Sequence, residues 1–350
     1  MAGSGTVAVS VSGCVGSGSA PPQPQSRTTQ RAIGPDNADQ VSIRIRILLD
    51  GEITPASDPA TPELTIQRFE YASHEDVERL FEELGYTPER WQAGVREVPK
   101  VYFATVPERW RGVTSQQVTV QTKKRLFFRA LAPIALYAND LILEERRRVE
   151  KLAPLYDAGQ QLDRADAEWI ADLAVRYKVI DSAEQVVDAG VVAGLLRRVD
   201  VVPISLTLSQ AAEESGWGTS RFAAEGNALF GQWTWGDKVI KPKQQRKGKG
   251  DYGIAAFDTT LDSVRAYMQN LNSHRAYGEL RARRAELREQ GKPVTGRILA
   301  GTLTSYSERG AAYVETLYTI MNANRLDPAD DAYLGEGPVY LMVPAGEAAE

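Results

Sequence analysis

Apolar side chains alternate with polar ones at Val41, Ile43, Ile45, Ile47 and Leu49, and Asp50-Gly51 follows as a turn signal. A two-residue period of this kind predicts a half-buried strand. The period then lengthens. In SHEDVERLFEELG, Ser73 and Asp76 have capping-box spacing and Gly85 is a stop, which predicts a helix between them. Thr87-Pro88 opens a shorter helical turn. KVYFATV, from Lys100, predicts a further strand. Residues 41–112 therefore read as a small α+β region, with no role that the pattern assigns.

From about 115 onward the pattern is mostly helical. Phe127, Leu131, Ile134, Ala138 and Leu141 share one face of a helix that Pro133 is expected to kink or divide. A second helix starts near Asp163 and uses Ile170, Leu173 and Tyr177. AEQVVDAGVVAGLLRRV predicts a third, and a fourth runs from Pro203 to Gly216. After a break rich in glycine and lysine come TTLDSVRAYMQNLNSH, AYGELRARRAELREQG, GRILAGTL and AAYVETLYTIMNANRL, all helical. Only 232–257 reads as β in this half. The expected division is a leader-like segment and linker over 1–40, the α+β region over 41–112, a mostly helical domain over 113–328 and a C-terminal tail over 329–350. No stretch reads as long and apolar enough to span a membrane.

Composition narrows the chemistry. The 350 residues are 43% hydrophobic and 25% charged, an ordinary globular balance. A net charge of −5 gives no bulk attraction for nucleic acid, so no nucleic-acid partner is expected. Two histidines, His74 and His274, and one cysteine, Cys14, are too few for a His/Cys metal site, and no EF-hand spacing is present. A Ser-His or Cys-His pair is equally disfavoured, so any chemistry falls to carboxylates. No cofactor and no metal are expected. Cys14 follows a short apolar run and precedes a Gly/Ser/Pro-rich stretch, as in a bacterial lipobox. No Lys or Arg precedes it, and an incidental cysteine in a polar tail is the other reading.

The stretch QAAEESGWGTSRFAAEGNALFGQWTW, from Gln210 to Trp235, concentrates what remains. Ile204, Leu208, Ala211 and Ser215 form one stripe of the fourth helix, while Leu206 and Ala212 are apolar on other sides, so this helix is predicted to be buried. Glu214 lies at the edge of the stripe and Glu213 points nearly the other way, into solvent. Gly216 and Gly218 end the helix. An ionised glutamate in the last turn is disfavoured by about 0.3–1 kcal/mol. Trp217 desolvates it further, and both effects raise a carboxyl pKa toward what a general acid needs. Phe230, Trp233, Trp235 and Tyr252 are candidate platforms for the apolar faces of sugar rings. By composition and spacing alone, a solvated helix end followed by core aromatics is the favoured account of the stretch.

The same stretch resembles the signature of bacterial glucosaminidase domains, glycoside hydrolase family 73, and in particular their Bax-type branch. The branch pattern runs A-Q-A-A-x-E-S-G-W-G-T-S-R-F-A-x-x-G-N-x-L-F-G-Q-W, and this chain matches nearly every fixed position. KRLFFRALAPIALYANDLILEERRRV, SVRAYMQNLNSHRAYGELRARRAELR and LTSYSERGAAYVETL are similar to flanking segments of that branch, so the resemblance runs over roughly 98–325. It implies a lysozyme-like α+β fold, mostly helical, with a small β lobe, and hydrolysis of β-1,4 bonds in peptidoglycan next to N-acetylglucosamine. The partner it implies is the peptidoglycan glycan strand. The place it implies is the cell envelope, periplasmic, with membrane attachment through Cys14 if the lipobox reading holds.

Position by position, the resemblance makes Glu214 the acid and Glu213 a variable position. Asn227 and Phe230 fall in Asn-x-Leu-Phe-Gly, which either meets substrate or shapes the turn into the β lobe. Tyr306 matches the tyrosine that reaches back into the cleft, and Tyr313 is the neighbouring alternative. The chain departs from the branch where a second acid is expected. A glutamate often stands shortly before the residue matching Phe257, where this chain has Tyr252-Gly253. Asp251 is the adjacent substitute and Asp237 a more distant one. The substrate's own 2-acetamido group is a second route. The run from Lys238 to Lys249 reads either as a contact for anionic glycan or as a solvated hairpin edge. Two other functions share these features: a lytic transglycosylase, and a catalytically silent glycan-binding lipoprotein.

Overall fold

A computed structural model describes residues 66–243 and 252–345. The strand predicted over 41–49, the linker before it, Cys14 and Asp251 lie outside those residues. The described chain opens with β1 (Ile66–Tyr71) and α1 (His74–Glu83). The capping box is present. Asp76 N donates to Ser73 Oγ, Ser73 N donates to the Asp76 carboxylate, and Val77, Leu80 and Phe81 form the buried face of α1. Next come α2 (Pro88–Gln92), capped by Thr87, then β2 (Glu97–Val98), β3 (Val101–Phe103) and a π-helical turn over Trp110–Thr114.

The C-terminal strands overturn the tail expected from 329. β7 (Tyr333–Leu334) pairs in parallel with β2. β8 (Val339–Pro344) lies between β1 and β3, parallel to both, with Ile66 opposite Val339 and Val101 opposite Tyr340. Parallel neighbours need a long crossover, and here the whole helical body from 104 to 338 is that crossover. The α+β region is thus completed from the far end of the chain.

The helical body begins with α3 (Val120–Asp157), a single helix of 38 residues that runs through Pro133 and Pro154. An interior proline forfeits one backbone hydrogen bond and costs about 3 kcal/mol. Burial on both sides of Pro133, from Leu131 to Asn139, outweighs that, so the expected division does not occur. This helix also corrects the expectation about membrane spans, because its length and composition suffice to cross one. Its most apolar window is 67% buried inside the protein, the situation of a core helix.

α4 (Arg164–Arg176) is capped by Asp163 and buries Ile170 and Leu173, with Tyr177 just beyond. α5 (Ala189–Arg198) starts later than its sequence suggests, because Asp188 caps it by accepting from Val191 N. Asp200, just after α5, gathers three guanidinium groups. Arg288 Nη2 lies at 2.6 Å, Arg146 Nη1 at 3.5 Å and the fully buried Arg284 Nε at 3.6 Å. Burial disfavours the Asp200 charge, but these arginines override it and hold its carboxyl below the usual range.

α6 (Ile204–Ser215) packs against α3, α10 (Gly296–Ala300) and α11 (Ala311–Asn324), and ten of its twelve residues are buried. That explains the apolar residues on several of its sides. Pro203 offers no side-chain cap. Instead Asp330 accepts from Ser205 N, Ser205 Oγ and Gly296 N, each at 2.8 Å, tying the starts of α6 and α10 together. The two helices meet so closely that a Cβ at Gly296 would fall 2.1 Å from Ser205 Oγ. Between α6 and α10 come α7 (Arg221–Gly226), then β4 (Trp233–Thr234), β5 (Val239–Ile240) and β6 (Gly253–Ala255), then α8 (Thr260–Ser273) and α9 (Gly278–Glu289). β4 and β5 flank β6 in antiparallel pairing, which is the small β lobe predicted within 232–257. The architecture is α+β and mostly helical, as expected.

Candidate active site

The end of α6 sets the site. Gly216, Trp217 and Gly218 all adopt positive φ, at 57°, 63° and 75°. Glycine takes this conformation freely, whereas at Trp217 it costs about 1–2 kcal/mol. Contacts on every side hold the tryptophan there. Gly218 N donates to Ser215 Oγ at 2.8 Å, and Trp110 Nε1 donates to the Trp217 carbonyl at 2.9 Å. The indole packs edge-on against Phe127 and Phe128, at centroid distances of 5.9 and 5.2 Å, with the Lys124 ammonium 4.8 Å from it. Trp217, a candidate neighbour of Glu214, packs its ring on α3.

Glu214 stands one residue before the helix end, half-buried. Its Oε2 lies against Gly231, 3.5 Å from where a Cβ would be, and Gly231 itself has φ 60°. The Tyr313 hydroxyl donates to the Glu214 carboxylate. That hydroxyl accepts from Gln210 Nε2 at 2.9 Å, and Gln210 Oε1 accepts from the Tyr267 hydroxyl at 2.7 Å. Gln210 is four residues before Glu214, hence on the same helix face. The chain Tyr267–Gln210–Tyr313–Glu214 is fully directed, each donor matched to one acceptor. Loss of solvent pushes the Glu214 carboxyl above its ordinary range, and the neighbouring Glu213 charge adds to that. The Tyr313 hydrogen bond and the Arg309 cation oppose it without cancelling it.

Glu213 is not the solvent-facing bystander the sequence suggests. Its carboxylate accepts from Arg309, which also reaches the Thr316 hydroxyl on α11. Arg309 belongs to the loop that carries Tyr306. The Tyr306 ring stacks on Tyr313 at 5.4 Å and 9°, with Tyr277 on another side at 5.7 Å. Its hydroxyl points to the Phe230 carbonyl at 3.5 Å. Tyr306 therefore stands beside Glu214.

Several expected substrate contacts turn out to be packing. Phe230 is 2% exposed and stacks on Tyr267 at 3.8 Å. Tyr313, at 1%, orients Glu214 from behind. Tyr252 is buried beneath Trp233, their rings 4.5 Å apart. The Asn227 amide is spent on the backbone: Oδ1 accepts from Val106 N at 2.8 Å, and Nδ2 donates to the carbonyls of Phe257 and Asp258. It shapes the turn into the β lobe and anchors that turn to the N-terminal region. Of the candidate sugar platforms, Trp233 and Trp235, 39% and 65% exposed, are presented to solvent.

Asp251 is outside the described residues, and Asp237 is exposed in the turn between β4 and β5. Lys238, at the start of the lysine run, pairs with Asp258. Among the described residues no three His, Cys, Asp or Glu side chains converge as metal ligands would. Sequence reasoning passed over Gln210, Tyr267, Arg309 and Trp110. The i, i+4 spacing of Gln210 and Glu214 was a usable signal; the other three come from distant segments.

Known proteins resemble this chain. A family model described as mannosyl-glycoprotein endo-beta-N-acetylglucosaminidase matches residues 191–326, a span that contains Glu214, Gln210, Tyr267, Tyr306 and Tyr313. Protein bax of Escherichia coli (strain K12) is 33% identical over 204 residues, which is 58% of this chain and 70% of that protein. No solved structure gives a significant match.

Proposed function

The chain belongs to the glucosaminidase-domain proteins of the Bax type, and from that membership we propose that it is a peptidoglycan hydrolase cutting β-1,4 bonds next to N-acetylglucosamine. The observation that carries the reading is Glu214: a carboxyl whose pKa loss of solvent raises, oriented by a directed chain of hydrogen bonds, and bordered by Tyr306. Such a group donates a proton to the leaving glycosidic oxygen. Trp233 and Trp235 supply apolar faces for neighbouring sugar rings. Glycan strands of the cell envelope are the substrate this reading requires, which places the protein in the periplasm or at the cell surface.

One observation favours a variant of this chemistry. Among the described residues, the carboxylate that acts on Glu214 is Glu213, and it is held by Arg309. A single acid suits attack by the substrate's own 2-acetamido group, or a lytic transglycosylase, better than a two-carboxylate hydrolase. Purified sacculi digested by wild type and Glu214→Gln, with product masses read out, test all of this. Removing a general acid lowers the rate by about 10²–10⁴-fold. Wild-type rates in Glu214→Gln would dismiss Glu214, anhydro-muramyl ends would replace the hydrolase reading, and sacculus binding without soluble products would leave a glycan-binding protein.

A further inference from the structure

The three parallel strands β1, β8 and β3 end side by side. Tyr71, Pro344 and Phe103 are their last residues, and between these ends and α3 lies a cavity of about 170 Å³. Neither Glu214 nor Tyr306 lines it. Val77, Phe127, Leu131, Ile134 and Leu229 make apolar walls, and the segment leading from β3 into Trp110 covers it. The mouth carries Glu108 and Arg109, both exposed and of opposite sign, so charge gives no net selection there.

Position and chemistry point the same way. In open sheets with parallel strands, ligands bind in the crevice outside the carboxyl ends of the strands, and this cavity lies there. An apolar cavity of roughly 150 Å³ stays dry and takes benzene or xenon. Ser73, His74, Thr105, Thr114 and Thr260 add a minority of polar groups to the lining, and a sugar ring is disfavoured because the hydroxyls that face the apolar walls would be left unpaired, at a cost of about 1–3 kcal/mol each. The cavity is therefore no extension of the glycan cleft.

We propose that this cavity is a binding site for a small apolar molecule, one aromatic ring or a branched aliphatic group of similar bulk. Two of its wall residues belong to the segments that frame Glu214. Gly218 closes the left-handed turn after α6, and Leu229 lies two residues before Gly231. A bound ligand would brace both segments from behind.

The test uses the full chain with ¹³C-labelled methyl groups, titrated with toluene. Saturable shifts at Leu131, Ile134 and Leu229, with a melting temperature that rises with toluene concentration, are expected. Ala130→Phe places a ring in the cavity and should abolish both responses while the protein still melts cooperatively. Absent shifts in wild type, or shifts that persist unchanged in folded Ala130→Phe, would overturn the proposal. If Ala130→Phe does not fold, crystals of wild type under xenon decide: density in the cavity supports the site and its absence overturns it. Neither readout depends on glycan cleavage, so an inactive protein would count against the enzyme reading and leave this one standing.

Discussion

Arg309 donates to the Glu213 carboxylate, and so a cation is fixed beside the residue that precedes Glu214. The two charges act on Glu214 in opposite directions, Glu213 raising its pKa and Arg309 lowering it. Activity that needs protonated Glu214 declines as pH rises through its folded-state pKa. Glu213→Gln removes the raising charge and should move that alkaline decline to lower pH. Arg309→Gln removes the lowering charge and should move it to higher pH. Profiles of kcat/KM against pH on sacculi check the signs, and displacement of both profiles in one direction would contradict this electrostatic arrangement.

Tyr313→Phe removes the hydroxyl that links Gln210 to Glu214. The acid then loses its orienting donor, and misplacement of a reacting group costs up to about 100-fold in rate. The loss should fall on kcat with KM unchanged, because the Tyr313 ring is buried away from substrate. Gln210 Nε2 is left without its partner, which destabilises the fold by about 1–3 kcal/mol. Steady-state kinetics beside thermal melts separate the two effects.

Trp235→Ala should do the reverse. The ring is 65% exposed, so its removal should cost less stability than the loss of the buried Tyr313 hydroxyl. If it is a sugar platform, KM should rise roughly fivefold or more, equivalent to about 1 kcal/mol of lost binding, at constant kcat. An unchanged KM would remove Trp235 from the substrate surface.

Asp200 governs behaviour in acid. Its carboxyl is held below the usual range, so it stabilises the fold above its unfolded pKa of about 3.9, and that contribution is lost as pH falls through the lower folded value. Asp200→Asn leaves the fully buried Arg284 without its counter-charge, and breaking a buried pair costs about 3–5 kcal/mol. Denaturant melts should show the variant less stable at neutral pH and losing less stability than wild type between pH values of about 4 and 2.

What the sequence made legible was local. Ser73, Asp163 and Pro203 mark helix starts because caps and first-turn prolines act over three or four residues. Glu214 was legible because the stretch around it is compact and distinctive. The misread features depend on distance along the chain. β8 pairs with strands more than 230 residues upstream, and nothing within VYLMVP announces that partner. Pro133 carries a breaking signal that surrounding burial overrides. Glu213 looked idle because Arg309, which engages it, lies 96 residues later. Phe230 and Asn227 shared the motif with Glu214, and nearness in sequence suggested nearness to substrate; Tyr252 stood out as an aromatic of the predicted β lobe. In the fold they form the frame on which the site is mounted.

The hydrogen bond from Trp110 to the Trp217 carbonyl bears on what counts as a unit of inheritance. The span the family model matches, 191–326, contains Glu214 and the residues that orient its carboxyl. It contains neither Trp110 and Phe127, which hold the left-handed turn, nor Asp330, which ties down the start of α6. The segment that the family model delimits and the segment that folds thus have different borders. Grafted alone into another host, 191–326 would deliver the chemistry without its scaffold, and descent should have kept both flanks travelling with it.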